Sequence, residues 1–190
     1  MLFRSFFLFL STVFLLQGTT QETNADEYLW ALLKSNDHFA MVRHAIAPGF
    51  SDPPNFEINN CDTQRNLDDV GRKQATQIGL AFRKRGITEA EVYSSQWCRC
   101  RDTANLMSLG KVRDLPALNS FFDREENEKP QMIALRSFLL KKQIDLPLIL
   151  VSHYVNIGAL TGTYPKSGGI VVVRRHAQNS FIPVGELNIQ

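Results

Sequence analysis

A chain of 190 residues is long enough for one domain with a sizeable core and short for two. At 44% hydrophobic and 21% charged it has an ordinary globular composition. A net charge of +2 gives no electrostatic footprint for nucleic acid or a membrane surface, and no repeat, low-complexity tract or long polar linker divides the sequence.

Residues 1–25 read as a secretory signal peptide. Met1 to Arg4 carry one positive charge, Ser5 to Leu16 form the apolar run SFFLFLSTVFLL, and the polar stretch QGTTQETNA follows. The run is short for a transmembrane helix. Thr23 and Ala25 are small residues that place cleavage after Ala25, with an uncleaved N-terminal anchor as the alternative. The mature chain, 26–190, is then a single exported domain, periplasmic or secreted, with no stable membrane insertion.

The elements follow in order. Asp26 to Lys34 predicts a short helix with Leu29, Leu32 and Leu33 facing inward. His38 to His44 predicts a buried strand, and 45–62, with Pro48, Gly49, Pro53 and Pro54, a loop long enough to be functional. Asp68 or Asp69 caps a helix that runs through Arg85 to Gly86. Glu91 to Ser95 is the next strand, Arg101 to Leu109 a helix closed by Gly110, and Val112 to Leu118 an extended segment. Pro130 to Lys142 is amphipathic, Leu146 to Ser152 is a strongly apolar strand, and Val155 to Thr161 is a helix stopped by Gly162. Ile170 to Val173 and Phe181 to Leu187 are the last strands. Helices alternating with near-continuous apolar strands predict an α/β three-layer sandwich: a largely parallel central sheet with helices on both faces.

Ligands of such sheets bind beyond the carboxyl ends of the strands. Arg43-His44 ends the run HFAMVRHA, Arg99 follows the strand ending at Ser95, and His153 ends LPLILVSH. Two guanidinium forks and two imidazoles gathered there would grip a phosphoryl group and supply a nucleophile. His44 is the candidate nucleophile; Arg43, Arg99 and a protonated His153 would oppose its protonation and hold the phosphoryl oxygens.

These segments resemble the histidine phosphatase superfamily, the phosphoglycerate mutase-like proteins. MVRHA stands for the strand and Arg-His-Gly signature, with Ala45 in place of Gly. Ser94-Ser95-Gln96-Trp97-Cys98-Arg99-Cys100-Arg101-Asp102-Thr103-Ala104 matches Ser-Ser-x-x-x-Arg-x-x-x-Thr-Ala, and LILVSH matches the strand with the second His. Leu67 to Ala75 fits the intervening Leu-Thr-x-x-Gly-x-x-Gln-Ala helix start. The resemblance covers roughly residues 38 to 175. It implies a phosphomonoester hydrolase that forms a phosphohistidine without metal or other cofactor, acting on a small anionic phosphorylated substrate. A phosphomutase and a non-catalytic phosphate-binding protein on the same fold are the alternatives.

Many family members place an acidic Glu after a Leu-Asn pair, where this chain has Ser120 after Leu118-Asn119. The candidates for the general acid are the carboxylates of the cluster DREENE at 123–128, with Asp123 preferred over Glu125 and Glu126 because Phe121 and Phe122 can anchor it at the site wall; the alternative is that all three are solvated and that water or His153 serves instead. Arg65 and Arg101 either extend the positive site or pair with carboxylates, and Asn156 either bonds substrate or is simply an early helix residue. Cys61, Cys98 and Cys100 lack metal-site spacing. In an oxidising compartment Cys61 can pair with Cys98 or Cys100; three buried thiols are the alternative.

Overall fold

The computed structural model describes residues 19–176 and 180–189. The apolar run of the expected leader lies outside the described residues. Among the described residues six strands form one sheet: β1 (His38–Arg43), β2 (Glu91–Ser94), β3 (Val112–Asp114), β4 (Leu148–Ser152), β5 (Ile170–His176) and β6 (Ser180–Leu187). Their order is β3-β2-β4-β1-β5-β6. The pairings β3–β2, β2–β4 and β4–β1 are parallel, and β1–β5 and β5–β6 are antiparallel. The helices are α1 (Thr19–Leu32), α2 (Asp69–Lys84), α3 (Cys98–Met107), α4 (Glu128–Lys141) and α5 (Tyr154–Thr161).

The central strands β1 and β4 are buried along nearly their whole length because both sheet faces are covered there. Alternation along β1 sends Ala40 and Val42 into one core with Ile78 and Phe82 of α2 and Ala104 and Met107 of α3. Phe39 and Met41 enter the opposite core with Leu135 and Leu139 of α4 and Ile157 and Leu160 of α5. The expected three-layer arrangement is observed, and truncating a fully buried Leu such as Leu135 costs about 2–5 kcal/mol.

Two helix starts differ from the expectation. Helix α1 already includes Thr19 to Ala25, upstream of the expected start at Asp26. Helix α3 begins at Cys98 rather than Arg101, directly after Trp97, which offers no side-chain cap. Its end is also earlier: Ser108 takes the left-handed conformation at φ 51°. The early start matters because it puts Arg99 in the first turn of α3, fixed against the sheet. By contrast α2 begins as expected, with the Asp68 carboxylate accepting from Gly71 N at 2.7 Å. Gly71 is required for another reason: a Cβ there would lie 1.9 Å from Ile46 O. Helix α2 thereby packs its backbone against the chain leaving β1.

Candidate active site

The topology brings the carboxyl ends of β1, β4 and β2 side by side. His44 continues the β1–β4 ladder, its N–H donating to Ser152 O at 2.9 Å, and Ser95 N donates to Val151 O at 2.9 Å. A cleft of about 880 Å³ opens above them, and Arg43, His44, Arg65, Arg99, Asp123 and His153 all line it.

His44 is 2% exposed, and its Nδ1 is 2.8 Å from Ala45 O. A carbonyl only accepts, so Nδ1 carries the hydrogen and Nε2 keeps its lone pair. Burial, with the charges of Arg99, Arg65 and Arg43 adding to it, pushes the His44 pKa down to about 3. Behind it, Ala45 is fully buried and its N–H donates to Thr103 Oγ1 at 3.0 Å, so the position tolerates only a small residue.

His153 follows β4 at the N-cap position of α5. Its ring meets the His44 ring edge-on at 5.4 Å and the Trp97 ring at 5.4 Å. Ser95 Oγ is 2.9 Å from Nε2 and 3.3 Å from Asn119 Oδ1; when the hydroxyl donates to the shorter partner, the ring, the His153 hydrogen sits on Nδ1, where a bound oxyanion can take it. Complete burial first, then Arg99, His44 and the other arginines, hold the pKa of His153 well below its ordinary value. In the free protein His153 is therefore neutral rather than protonated. Its contribution against protonation of His44 passes to the arginines.

Arg43 is half-buried, with NH1 donating to Pro165 O at 3.0 Å and the guanidinium 5.0 Å over the Tyr154 ring. Burial lowers the pKa of Arg43 and of Arg65, yet a guanidinium stays charged. Arg65 reaches the cleft from the loop before α2 and donates to Ala47 O. The Nε atoms of Arg43, Arg65 and Arg99 are all buried without a hydrogen-bond partner. Three unsatisfied cationic donors around one imidazole are what an oxyanion would complete.

Arg101 does not join them. Its Nε and NH2 pair with the Asp114 carboxylate at 2.9 and 2.6 Å, away from the cleft. Asn156 is fully buried and does not line the cleft; its Nδ2 donates to Asn119 O at 2.8 Å, tethering the segment before Ser120. Asp123 does line it, accepting from Ser51 Oγ at 3.1 Å, whereas Glu125 and Glu126 do not. Phe121 is buried in the core and Phe122 packs edge-on to Phe50 at 5.2 Å, so the two phenylalanines carry Asp123 to the cleft mouth.

One site residue has no counterpart in the sequence reading. Asp52, in the loop after His44, forms an ion pair with Arg99 NH1 at 2.7 Å and accepts from Trp97 Nε1 at 2.9 Å. Burial opposes its ionisation, but the Arg99 hydrogen bonds and charge outweigh that and hold the carboxyl below the usual range. Cys61 and Cys98 form a disulfide with Cα atoms 5.8 Å apart, leaving Cys100 free and buried. Burial pushes the Cys100 thiol up to about 12, so it does not serve as a nucleophile.

Residues 40–123 match the family model of the histidine phosphatase superfamily, branch 1. No curated protein matches the chain in sequence. Among solved structures, the protein histidine phosphatase SixA complexed with tungstate is 15% identical with a TM-score of 0.58, covering 80% of this chain and 96% of its own. A mycobacterial glucosyl-3-phosphoglycerate phosphatase complexed with VO3 is 15% identical with a TM-score of 0.54, covering 72% of this chain and 92% of its own. A phosphoserine phosphatase of Entamoeba histolytica in complex with 3-phosphoglyceric acid is 12% identical with a TM-score of 0.56, covering 80% and 98%.

Proposed function

We propose that this chain, a member of the histidine phosphatase superfamily, hydrolyses phosphomonoesters through a phosphohistidine on His44 without a metal. The observation that carries the reading is the fixed tautomer of His44: Nδ1–H is held on Ala45 O, and a neutral Nε2 faces a cleft walled by three guanidiniums. A neutral imidazole is a competent nucleophile at ordinary pH, and the arginines supply the positive charge that a phosphoryl group needs as it transfers.

The substrate phosphoryl group lies among Arg43, Arg65, Arg99 and the His153 Nδ1–H. Nε2 of His44 attacks phosphorus in line, the bond to the ester oxygen breaks, and the electron pair leaves with that oxygen. Asp123 is the carboxyl group placed to protonate it; Asp52 is not, because its ion pair keeps it ionised. Water, its proton taken by the Asp123 carboxylate, then attacks phosphorus; the N–P electron pair returns to His44 Nε2 and inorganic phosphate leaves. The neighbours support this reading by their names, each a phosphatase, and two carry phosphate-like oxyanions. Their different substrates leave the alcohol of this chain's own substrate to be found by assay.

The test is chemical. Brief reaction with a labelled phosphomonoester is expected to leave an acid-labile, base-stable adduct on His44, absent in His44→Ala. Hydrolysis is expected to survive exhaustive EDTA treatment, since the arginines carry the charge. An adduct on serine or cysteine, or full activity in His44→Ala, overturns the mechanism, and phosphoryl transfer back to substrate would make the protein a mutase.

Export is part of the same proposal. The apolar run at 5–16 supports it, and so does the Cys61–Cys98 disulfide, a bond that persists in oxidising compartments. Sequencing the N-terminus of protein from the native host checks it: a start near Asp26 in an exported fraction is expected, and intact Met1 in the cytoplasm contradicts it.

A further inference from the structure

The hydrogen bonds of Arg99 divide its guanidinium into a used and an unused edge. A guanidinium has five N–H donors in one plane. The Asp52 carboxylate takes one from NH1 at 2.7 Å and one from NH2 at 3.2 Å, and Arg65 O takes the second hydrogen of NH1 at 3.2 Å. The hydrogens left over are that of Nε and the second of NH2, which lie on the same side of the group. Nε is buried without a partner, and Arg99 lines the cleft. So the end-on edge is filled by protein, and the side-on edge, a two-donor fork, is offered to the ligand.

Asp52 is itself held from three directions. Its Oδ1 accepts from Arg65 N at 2.9 Å, and its Oδ2 from Trp97 Nε1 at 2.9 Å, besides the two bonds from Arg99. Trp97 in turn stacks on Phe56 at 4.9 Å and sets its edge to His153. One carboxylate thus connects the loop after His44, the backbone of Arg65 and the first turn of α3.

Building on the phosphatase reading, we infer that Asp52 is a positioning residue: it locks Arg99 with its side-on fork turned to the transferring phosphoryl group. The chemistry makes a prediction that separates this from plain electrostatics. A carboxylate beside an anion site repels the anion, so neutralising it should tighten oxyanion binding if charge is all that matters. If Asp52 acts by orienting Arg99, neutralising it loosens binding instead.

The experiment is a double-mutant cycle with Asp52→Asn and Arg99→Ala, read by tungstate affinity in calorimetry and by kcat on p-nitrophenyl phosphate. Asp52→Asn is expected to lower kcat by about 10- to 100-fold and to weaken tungstate binding. In the Arg99→Ala background, where there is no fork left to orient and the carboxylate only repels the anion, the same substitution is expected to cause no further loss of kcat and to leave tungstate binding unchanged or tighter. Tungstate binding as tight as or tighter than in the unsubstituted protein with unchanged kcat, or an equal loss in both backgrounds, overturns the inference. Should Asp52→Asn fail to fold, Asp52→Glu in the same cycle decides between the same outcomes. If the unsubstituted protein binds tungstate but hydrolyses nothing, the phosphatase reading fails while the binding cycle still tests Asp52.

Discussion

Cys61 and Cys98 are joined so that the far end of the loop after His44 is tied to the residue immediately before Arg99. Cys98, at the start of α3, faces that loop, while Cys100 is turned to the sheet, its Sγ 3.5 Å from His153 Nε2. Two residues along a helix point about 200° apart, which is why only one of the two can reach Cys61. The bond closes a loop with a sequence separation of 37, for which chain entropy gives a stabilisation of about 4 kcal/mol. The double substitution Cys61→Ser with Cys98→Ser should lose that much unfolding free energy in denaturant titration. Unchanged stability would show that the native state relaxes by as much as the unfolded chain gains.

The pH dependence of stability follows from the two histidines. His44 falls from its ordinary 6.5 to about 3 on folding, and His153 moves in the same direction. Between those limits the unfolded chain binds more protons, so stability is full above pH 6.5 and is lost as pH falls toward 3. His44→Asn should flatten part of that acid slope, by on the order of a few kcal/mol across the window. The same shift means that kcat/KM shows no acid limb near 6.5 from His44 in the free enzyme. A limb at that pH carried by His44, absent from the Asn variant's residual activity, would show that the site is wetter than its burial implies.

Much of this site is legible before any coordinates. Arg43, His44 and His153 stand at the ends of short apolar runs that read as buried strands, and the parallel β1–β4 pairing then gathers those ends. Arg99 was legible as a residue and misplaced in structure, because α3 starts without a capping side chain and Trp97 gives no helix signal. Asp52 was illegible. It stands in a loop rich in Pro and Gly, where an aspartate reads as turn chemistry, and its partner is 47 residues away. Arg101 and Asn156 fail for the opposite reason. Each lies within three residues of a site residue, but the roughly 200° between Arg99 and Arg101 on α3, or the tether of Asn156 to Asn119, points it elsewhere. Helix α1 extends through the polar TTQETNA, where composition alone suggested no element.

Arg65 and Arg101 make a paired comparison, since the sequence offered them as equals. Arg65 lines the cleft with an unsatisfied Nε, and Arg101 spends its charge on Asp114. Arg65→Ala should lower kcat/KM by roughly 10- to 100-fold, the cost of losing a cationic oxyanion donor. Arg101→Ala should leave kcat/KM within about twofold, as expected for a partly exposed ion pair outside the cleft, worth under about 1 kcal/mol. Measuring both on one substrate is the check, and a larger effect at Arg101 would move the cleft toward Asp114.

Ser120 lines the cleft but has no acidic proton to give, and its Oγ accepts from Phe122 N at 3.2 Å. Asp123 is carried to the cleft mouth by Phe121 and Phe122 and bonded by Ser51 across it. An alkoxide leaves poorly without a proton, whereas p-nitrophenolate needs little help. Asp123→Asn should therefore cut kcat on an alkyl phosphate by about 100-fold or more and barely affect p-nitrophenyl phosphate. The asymmetry is what identifies an acid, because a variant that merely disturbed the loop would slow both substrates alike. Ser51→Ala separates the remaining possibility: it removes the bond across the cleft but keeps the carboxyl group. It should cost much less than Asp123→Asn on the alkyl ester. Small, equal effects of Asp123→Asn on both esters would instead return the proton to solvent or to His153, whose Nε2 is already committed to Ser95.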